Sequence, residues 1–390
     1  MTDGLEGHLL NWQTTATGAW DWCLERALAY GDGRLARYGT VGRKRQVGLV
    51  FFNDSLRTRA SMEVAAHQLG AYPLVVTPGS GTWGFAWERG TPMTGMEAEH
   101  ITEAIAVLSR YVDLLGVRLF ASGTDLDADR NDARLKTIIE ASGVPVVNLE
   151  SAFWHPCQAL ADAAVVTRES RRKEPSERPK FVLTWAPHPK PLPTAVPNSA
   201  LLMAVRLGLD VTLVHPEGFD LDASVMDEAR RQAGISGGTL DVAKEQAAAF
   251  DGASFVYAKA WGGLDRYENP EAEIARRAAH GDWTVTRTLM ARTDGGRFMH
   301  CLPVRRGVVV EDAVLDDPRS LHLEQAEFRL HAQKAILEWF WGAASDSSAD
   351  DSTAAELGRA ARSFAQEIGG AARSLAEEIR NATRPDSPDS

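Results

Sequence analysis

The sequence has few of the features that mark secreted, membrane or nucleic-acid-binding proteins. Its 390 residues contain three cysteines, which are too widely spaced for a disulfide framework or a zinc site. No apolar run approaches the roughly 20 residues that span a bilayer, and the first residues lack the basic and apolar regions of a signal peptide. A net charge of −11 argues against a nucleic-acid partner, because phosphate backbones require a basic surface. We therefore expect a cytoplasmic protein with neither a membrane nor a nucleic-acid partner.

The chain instead alternates strand-like and helix-like segments. Runs of buried-strand character, with helical patterns between them, occur at 46–52, 72–77, 113–120, 144–149, 181–185, 211–214, 254–258 and 297–300. Such alternation is typical of parallel sheets covered by helices, and the length of the chain favours two domains. The sequence therefore predicts an α/β fold of two domains, each with a central parallel sheet flanked by helices.

The predicted domains are residues 1–150 and 151–323, followed by a C-terminal helix at 324–343. From residue 344 the composition becomes polar and acidic, which favours a partly disordered tail. A near-repeat of 11 residues within 360–379 would place four apolar side chains on one helical face. The alternatives for residues 344–390 are a loosely ordered tail with no catalytic part and a helix that docks on a partner.

A candidate anion site lies where the first strand meets its helix. Ser55, Arg57 and Thr58 fall between the strand pattern at 46–52 and the helical pattern at 59–70. Free N–H groups, the positive end of the helix dipole, two hydroxyls and a guanidinium would converge there, which suits a phosphate dianion. The alternative is an ordinary capped helix with solvated arginines, because serine and threonine cap many helices.

A glycine-rich loop follows the second strand pattern. Residues 79–84 have the spacing G-x-G-x-x-G, but the dinucleotide fingerprint must open a helix. Residues 85–92 lack a helical period and soon reach a proline, so we reject a dinucleotide site. The loop is better described as flexible and carrying Trp83, which is either functional or simply a surface aromatic.

Four segments, taken in order, resemble the aspartate/ornithine carbamoyltransferase family. They are Ser55-Leu-Arg-Thr-Arg59, His155-Pro-Cys-Gln158, Trp185-Ala-Pro-His-Pro-Lys-Pro-Leu192 and His300-Cys-Leu-Pro-Val-Arg-Arg306. The resemblance covers about residues 5 to 343, and the third segment is similar to the branch that acts on N-acylated ornithine. It implies a homotrimer that needs no metal and no cofactor, in which the Trp83 loop reaches the neighbouring subunit's site.

The resemblance also implies how carbamoyl phosphate is held. The contacts would be Ser55, Leu56 (through its backbone), Arg57, Thr58, Trp83, Arg118, His155, Gln158, Cys301, Leu302 and Arg329. Among these, Arg57 would help to hold the phosphate and Arg118 would close over it, while His155 would donate to the carbonyl oxygen and Gln158 would orient the carbamoyl group. The backbone carbonyls of Cys301 and Leu302 would accept from its nitrogen. Preorganised donors of this kind stabilise a tetrahedral intermediate without a covalent nucleophile, so the cysteines need not act as thiolates.

The second substrate can be argued from charge. Members that use free ornithine hold its α-ammonium with an aspartate and a Ser-Met-Gly, whereas this chain has Lys259 at the equivalent strand end and no such triplet. A lysine repels an ammonium and attracts a carboxylate, which predicts an ornithine without a free α-amine; a surface charge at the strand end is the alternative. By resemblance, the acyl-ornithine contacts would be Ala98, Glu150, His188, Lys259, Leu302 and Arg305.

The acyl group is predicted from Ala98. Members that act on acetylornithine carry a glutamate at this position, and its carboxylate would repel that of a succinyl tail. Alanine removes both bulk and repulsion, and Val309 stands where acetyl-type members can carry a lysine. We therefore expect N-succinyl-L-ornithine, with N-acetyl-L-ornithine as the alternative, although Glu97 and Glu99 flank the position. Transfer to another amine and a non-catalytic ligand-binding paralogue remain open, the latter because Asp54 places a negative charge beside the phosphate site.

Overall fold

The chain is built on two separate parallel β-sheets. A computed structural model describes residues 7–15, 18–90, 92–172 and 178–342, and up to Trp341 they form one compact unit. The strands are β1 (Gln46–Phe51), β2 (Tyr72–Val76), β3 (Phe85–Ala86), β4 (Glu99–His100), β5 (Leu114–Arg118), β6 (Val146–Glu150), β7 (Lys180–Trp185), β8 (Asp210–Val214), β9 (Thr239–Ala243), β10 (Phe255–Lys259) and β11 (Arg297–Met299).

The strand order places the two sheets in different halves of the chain. The first sheet has the order β2-β1-β5-β6, the second has the order β11-β10-β7-β8-β9, and β3 and β4 form a short separate pair. Every one of these strand pairs is parallel. The predicted fold class is therefore confirmed, whereas the predicted domain boundaries remain predictions.

Helices flank both sheets. They are α1 (Ala19–Gly31), α2 (Leu56–Gln68), α3 (Ile101–Leu108), α4 (Leu126–Arg130), α5 (Ala133–Ala141), α6 (Pro156–Ser170), α7 (Ala195–Arg206), α8 (Ala223–Ser236), α9 (Gln246–Phe250), α10 (Pro270–Ala278), α11 (Arg287–Met290), α12 (Asp312–Leu315) and α13 (His322–Phe340). Short 3₁₀ helices occupy Leu264–Tyr267 and Gly281–Trp283. None of the helices in these described residues combines the length and the apolar character that a bilayer crossing requires.

Helices α6 and α13 form the centre of the molecule. The first eleven residues of α6 are buried, and their many alanines let neighbouring helices approach closely. Helix α6 packs against α1, α7 and α13, and α13 also packs against α1 and α2. One hydrophobic cluster, which includes Leu160, Phe328 and Leu337, runs through these helices. This packing brings polar side chains from distant parts of the sequence to the same place.

Three element boundaries differ from the sequence predictions. Helix α2 begins at Leu56 rather than 59, because the Ser55 side chain caps it by accepting from the Thr58 amide. The sequence at 97–110 has a helical pattern, but the helix begins only at Ile101, because Glu99–His100 pairs instead with Phe85–Ala86. The charged run at 168–178 predicts a solvated connection between the two halves of the chain, but the connection begins later, since α6 continues to Ser170. The predicted tail, 344–390, lies outside the described residues.

Candidate active site

A cavity of about 580 Å³ lies between the two sheets. Strands β1, β5, β6 and β10 lead into it at their carboxyl ends, which is where open α/β sheets bind ligands. Fourteen of the sixteen residues predicted for the site line it: Ser55, Leu56, Arg57, Thr58, Arg118, Glu150, His155, Gln158, His188, Lys259, Cys301, Leu302, Arg305 and Arg329. The fold thus gathers side chains that are as far apart in sequence as Ser55 and Arg329.

The start of α2 forms one end of the cavity. The Ser55 hydroxyl accepts from the Thr58 amide at 3.2 Å, so the first turn presents its remaining N–H groups towards the loop before it. Burial lowers the pKa of Arg57, and the neighbouring Arg118 lowers it further. A cation in such surroundings is well placed to gain from an incoming anion. Asp54 also lines the cavity and is exposed.

Three ionisable side chains meet in the middle of the cavity. Arg118, at the end of β5, forms an ion pair with Glu150, at the end of β6. The Nε2 atom of His155 lies 3.4 Å from Oε2 of Glu150. Burial lowers the pKa of His155 well below its ordinary value, and Arg329, Arg118 and other nearby cations add to the effect. The imidazole is therefore neutral and can donate one N–H bond without carrying charge.

The next part of the cavity is built from uncharged hydrogen-bonding groups beside a buried arginine. Arg329 of α13 donates to Oε1 of Gln158 at 2.8 Å and to Oγ1 of Thr58 at 2.9 Å. Opposite lies the turn after β11, in which Leu302 has φ 59° and the Leu302–Pro303 peptide is cis. The Leu302 amide donates to Nδ1 of His300 at 2.8 Å. These groups can surround a planar amide.

Neither Cys301, which lines the cavity, nor the buried Cys157 has the character of a nucleophile. Burial raises the pKa of the Cys157 thiol to about 11 and also raises the pKa of the Cys301 thiol. Cys23, Cys157 and Cys301 are all free thiols. Protonated thiols are poor nucleophiles, so covalent catalysis by cysteine finds no support in this site.

The far end of the cavity is cationic. Lys259, at the end of β10, is buried and donates to the Ala260 carbonyl at 3.1 Å. Arg305 donates through Nε to Nε2 of His188 at 3.1 Å, and Nδ1 of His188 lies 2.9 Å from the Lys190 carbonyl. Burial, together with Arg305 and Lys259, lowers the pKa of His188, so it is a neutral donor. The charges of Lys259 and Arg305 suit a carboxylate.

Trp83 and Ala98 do not line the cavity of their own chain. The indole N–H of Trp83 donates to Oε2 of Glu99 at 2.9 Å, and 55% of the Trp83 surface is exposed. Ala98 is exposed in the loop before β4. Their predicted roles at the site would therefore require a second copy of the chain.

Sequence reasoning missed a buried polar cluster behind the cavity. Asp162 accepts from Gln158 at 2.7 Å, from Gln325 at 2.8 Å and from the Tyr257 hydroxyl at 2.9 Å. Asp162 follows Gln158 by four residues on α6, and this helical spacing was the available signal. Phe120 was also missed; its ring lies 4.4 Å from the Arg118 guanidinium carbon.

The cavity lies between two parallel sheets. The start of α2 suits a phosphate, and Lys259 with Arg305 suits a carboxylate, so the fold and the site define a class of α/β protein that binds small anionic molecules. In the described residues no three His, Cys, Asp or Glu side chains gather in a way that could hold a metal ion. Residues 7–168 match the aspartate/ornithine carbamoyltransferase carbamoyl-P binding domain, and residues 193–340 match the aspartate/ornithine carbamoyltransferase Asp/Orn binding domain. The chain belongs to the aspartate/ornithine carbamoyltransferase family and, within it, to the N-acylornithine carbamoyltransferase branch.

Similar proteins support the same branch. The chain is 43% identical over 331 residues to an N-acetylornithine carbamoyltransferase of Xanthomonas campestris, covering 85% of this chain and 96% of that protein. It is 39% identical over 304 residues to an N-succinylornithine carbamoyltransferase of Bacteroides thetaiotaomicron, covering 77% and 89%. A crystal structure of acetylornithine transcarbamylase complexed with acetylcitrulline matches with a TM-score of 0.80 and 43% identity, covering 85% of this chain and 98% of that one.

Proposed function

We propose that the protein transfers the carbamoyl group of carbamoyl phosphate to the δ-amine of N-succinyl-L-ornithine, giving N-succinyl-L-citrulline and phosphate in arginine biosynthesis. N-acetyl-L-ornithine is the alternative acceptor. The observation that carries the proposal is that one cavity holds the start of α2 with Arg57 at one end and Lys259 with Arg305 at the other. The two ends suit a phosphate and a carboxylate, so a phosphoryl donor and an amino-acid-derived acceptor can occupy the same cavity together.

The chemistry follows from the order of groups along the cavity. The start of α2 and Arg57 bind the phosphate. Arg118 must break its ion pair with Glu150 in order to bind carbamoyl phosphate. His155, being neutral, donates to the carbonyl oxygen, where negative charge develops as the amine attacks. The new C–N bond forms, the bond between the carbonyl carbon and the bridging phosphate oxygen breaks, and the proton given up by the amine leaves with the phosphate. Holding both reactants in attack geometry contributes on the order of 7–11 kcal/mol in good intramolecular models.

The charge of the second pocket supports an acylated ornithine. An α-ammonium beside Lys259 and Arg305 would be repelled, whereas an α-carboxylate would be attracted. Acylation removes the ammonium and leaves the carboxylate. Glu150 is the one carboxylate among the predicted site residues. Once Arg118 leaves Glu150 to bind the donor, the Glu150 carboxylate faces the region that the incoming δ-amine must cross.

The preference for succinyl rests on Ala98. Structures of N-acetyl-L-ornithine transcarbamylase with one glutamate replaced by proline, alanine, serine or valine are each complexed with carbamyl phosphate and N-succinyl-L-norvaline. We take that glutamate to correspond to Ala98, since the acetyl-type pattern has a glutamate there. Because Ala98 and Trp83 lie outside their own chain's cavity, the proposal includes a homotrimer in which both residues complete a neighbour's site.

The test is a steady-state assay of phosphate release with carbamoyl phosphate and N-succinyl-, N-acetyl- or free L-ornithine. We expect kcat/KM to rank succinyl above acetyl and both above free ornithine. The variant Ala98→Glu should shift the ratio towards acetylornithine, with Ala248→Glu, at an exposed alanine of α9, as the charge control. Faster turnover of free ornithine than of either acyl form would contradict the proposal, and binding without phosphate release would favour a non-catalytic paralogue.

A further inference from the structure

Asp162 is a buried carboxylate one helical turn beyond Gln158 on α6. Its side chain has no exposed surface, and it is not among the residues that line the cavity. One oxygen, Oδ1, accepts from Nε2 of Gln158 at 2.7 Å and from Nε2 of Gln325 at 2.8 Å. The other oxygen accepts from the Tyr257 hydroxyl at 2.9 Å. Three elements, α6, α13 and β10, therefore meet at this single carboxylate.

The hydrogen bond from Gln158 to Asp162 determines the orientation of the Gln158 amide. An ionised carboxylate only accepts hydrogen bonds, and the Arg329 guanidinium only donates them. Gln158 must therefore turn its oxygen towards Arg329, which is 2.8 Å away, and its nitrogen towards Asp162. One N–H of the Gln158 amide then remains for a ligand in the cavity. Without an acceptor at Asp162, only Arg329 would oppose the opposite orientation of the amide.

The hydrogen bond from Gln325 to Asp162 links this carboxylate to the opposite wall of the cavity. Gln325 turns its nitrogen to Asp162, so its oxygen accepts from the His300 amide at 2.8 Å. Nδ1 of His300 in turn accepts from the Leu302 amide at 2.8 Å. This chain of bonds runs from Asp162 to the turn that carries the Cys301 and Leu302 carbonyls. The same carboxylate thus orients groups on both sides of the space for the carbamoyl nitrogen.

We infer that Asp162 is a positioning residue that holds Gln158 and the 300–302 turn in the arrangement that grips the carbamoyl amide. The inference rests on the proposed function, because it names the carbamoyl group as the ligand of these walls. It assigns no contact between Asp162 and a substrate. Asp162 acts through Gln158 on one side and through Gln325 and His300 on the other. The phosphate end at the start of α2 is linked to it only indirectly, because Arg329 bonds both Gln158 and Thr58.

The arrangement has a consequence for the effect of pH. Burial raises the pKa of Asp162 to about 6, against the lowering effects of its bonds to Gln325, Gln158 and Tyr257 and of the charge on Arg329. The titratable and charged groups facing it are Tyr257 from β10, Arg329 from α13 and Cys301 from the turn after β11. A protonated Asp162 carries a hydrogen among three donors, so one of its bonds is lost or, at the Tyr257 hydroxyl, reversed. The remaining bonds also weaken, because the carboxyl no longer carries a charge. The grip should weaken as the pH falls through about 6.

The first experiment measures binding by calorimetry at pH 8 and does not depend on any acceptor. The probes are phosphonoacetamide, a stable molecule with an amide and a phosphonate, and inorganic phosphate. In Asp162→Asn the charged acceptor becomes neutral, and charge-assisted bonds are roughly twice as strong as neutral ones. We expect the affinity for phosphonoacetamide to fall about tenfold, in keeping with the effect of outer partners on a site. The affinity for phosphate should fall much less, because Asp162 reaches the phosphate end only through Gln158 and Arg329. The control is Glu169→Gln, a buried carboxylate on the same helix that pairs with Arg172 and Arg297.

The second experiment is the pH profile of kcat with the acyl-ornithine that the wild-type enzyme uses. In wild type and Glu169→Gln, kcat should fall as the pH decreases below about 6; we call this fall the acid limb. In Asp162→Asn the maximal kcat should be lower, by roughly a hundredfold at most, and the acid limb should be absent. The variant Tyr257→Phe removes one bond that stabilises the ionised carboxylate, so its acid limb should move to higher pH. It also keeps the inference testable if Asp162→Asn does not fold.

The possible outcomes separate the two proposals. A wild-type enzyme that turns over no acyl-ornithine contradicts the proposed function, yet the binding ratio still tests Asp162. If Asp162→Asn weakens phosphate and phosphonoacetamide equally, or neither of them, Asp162 does not position the carbamoyl grip. An acid limb at the same pH in wild type and Tyr257→Phe would likewise overturn the inference.

Discussion

Replacing Lys259 with methionine tests the charge argument for the second substrate. Methionine keeps most of the length of the side chain but removes the ammonium, and the site is 8% exposed, so water cannot replace the lost charge well. The Nζ atom makes one bond to the Ala260 carbonyl, at 3.1 Å, which leaves its other hydrogens for a ligand. We expect a higher KM for the acyl-ornithine and an unchanged KM for carbamoyl phosphate, which binds at the other end of the cavity.

The size of the effect follows from the burial of the pair. Removing one partner of a buried, hydrogen-bonded charge pair costs about 2–5 kcal/mol, which corresponds to roughly 30-fold to several thousand-fold in affinity. Arg305 and His188 also border this end and retain part of the attraction for a carboxylate. The lower figure is therefore expected, about 30-fold in KM. Repulsion of an α-ammonium should also weaken, so free ornithine should become a relatively better substrate.

The assay is steady-state phosphate release with each substrate varied at saturation of the other. The matched control is Lys244→Met, since Lys244 is an exposed lysine that follows β9 of the same sheet and pairs with Asp220. Thermal melts of both variants establish that they fold. Equal effects of the two substitutions on the KM for acyl-ornithine would refute the reasoning, as would an equal rise in KM for both substrates of Lys259→Met.

Three further predictions concern stability and protonation. Burial raises the pKa of Asp132 to about 7 from its ordinary 3.8, so between these two values the folded protein holds a proton that the unfolded chain releases, and the wild type loses stability as the pH rises through that range. Asp132→Asn has no carboxylate to ionise, so in urea melts between pH 4.5 and 8 its stability should increase relative to wild type, by on the order of 4 kcal/mol at most. A difference in stability that stays constant over this pH range would contradict the prediction. A Cβ on Gly31 would lie 2.3 Å from the Phe328 ring, so Gly31→Ala should lower the free energy of unfolding by about 1–3 kcal/mol. The control Gly234→Ala, in open space on α8, should be neutral or stabilising. Equal melting temperatures of the two variants would refute the clash. Burial and nearby cations such as Arg329 and Arg118 hold the pKa of His155 well below its ordinary value. His155→Gln should therefore lower kcat without altering the pH dependence of kcat between pH 6 and 8. Loss of a pH transition in that range on substitution would show that the histidine titrates there and would contradict the prediction.

The elements that sequence analysis located are those with a strong local signal. Strands β1, β5 and β7 are almost wholly buried, so their residues form continuous apolar runs. Strand β9, at the edge of its sheet, alternates exposed and partly buried residues and was not predicted, because an edge strand needs no apolar run. The start of α3 was predicted four residues too early, since Glu99 and His100 suit a helix locally but pair as a strand with a distant segment.

The same distinction applies to the site. The amino-acid sequence by itself determined the alternating α/β pattern, the helix start at Ser55 and the charge of Lys259, because each depends on residues within a few positions of one another. Tertiary structure alone decided that Arg118 pairs with Glu150, that Trp83 and Ala98 lie outside their own chain's cavity, and that Asp162 supports both walls. Gln158 and Arg329 are 171 positions apart, and only the packing of α6 against α13 makes them neighbours. Contacts of that kind depend on how whole helices pack, and no local spacing encodes them.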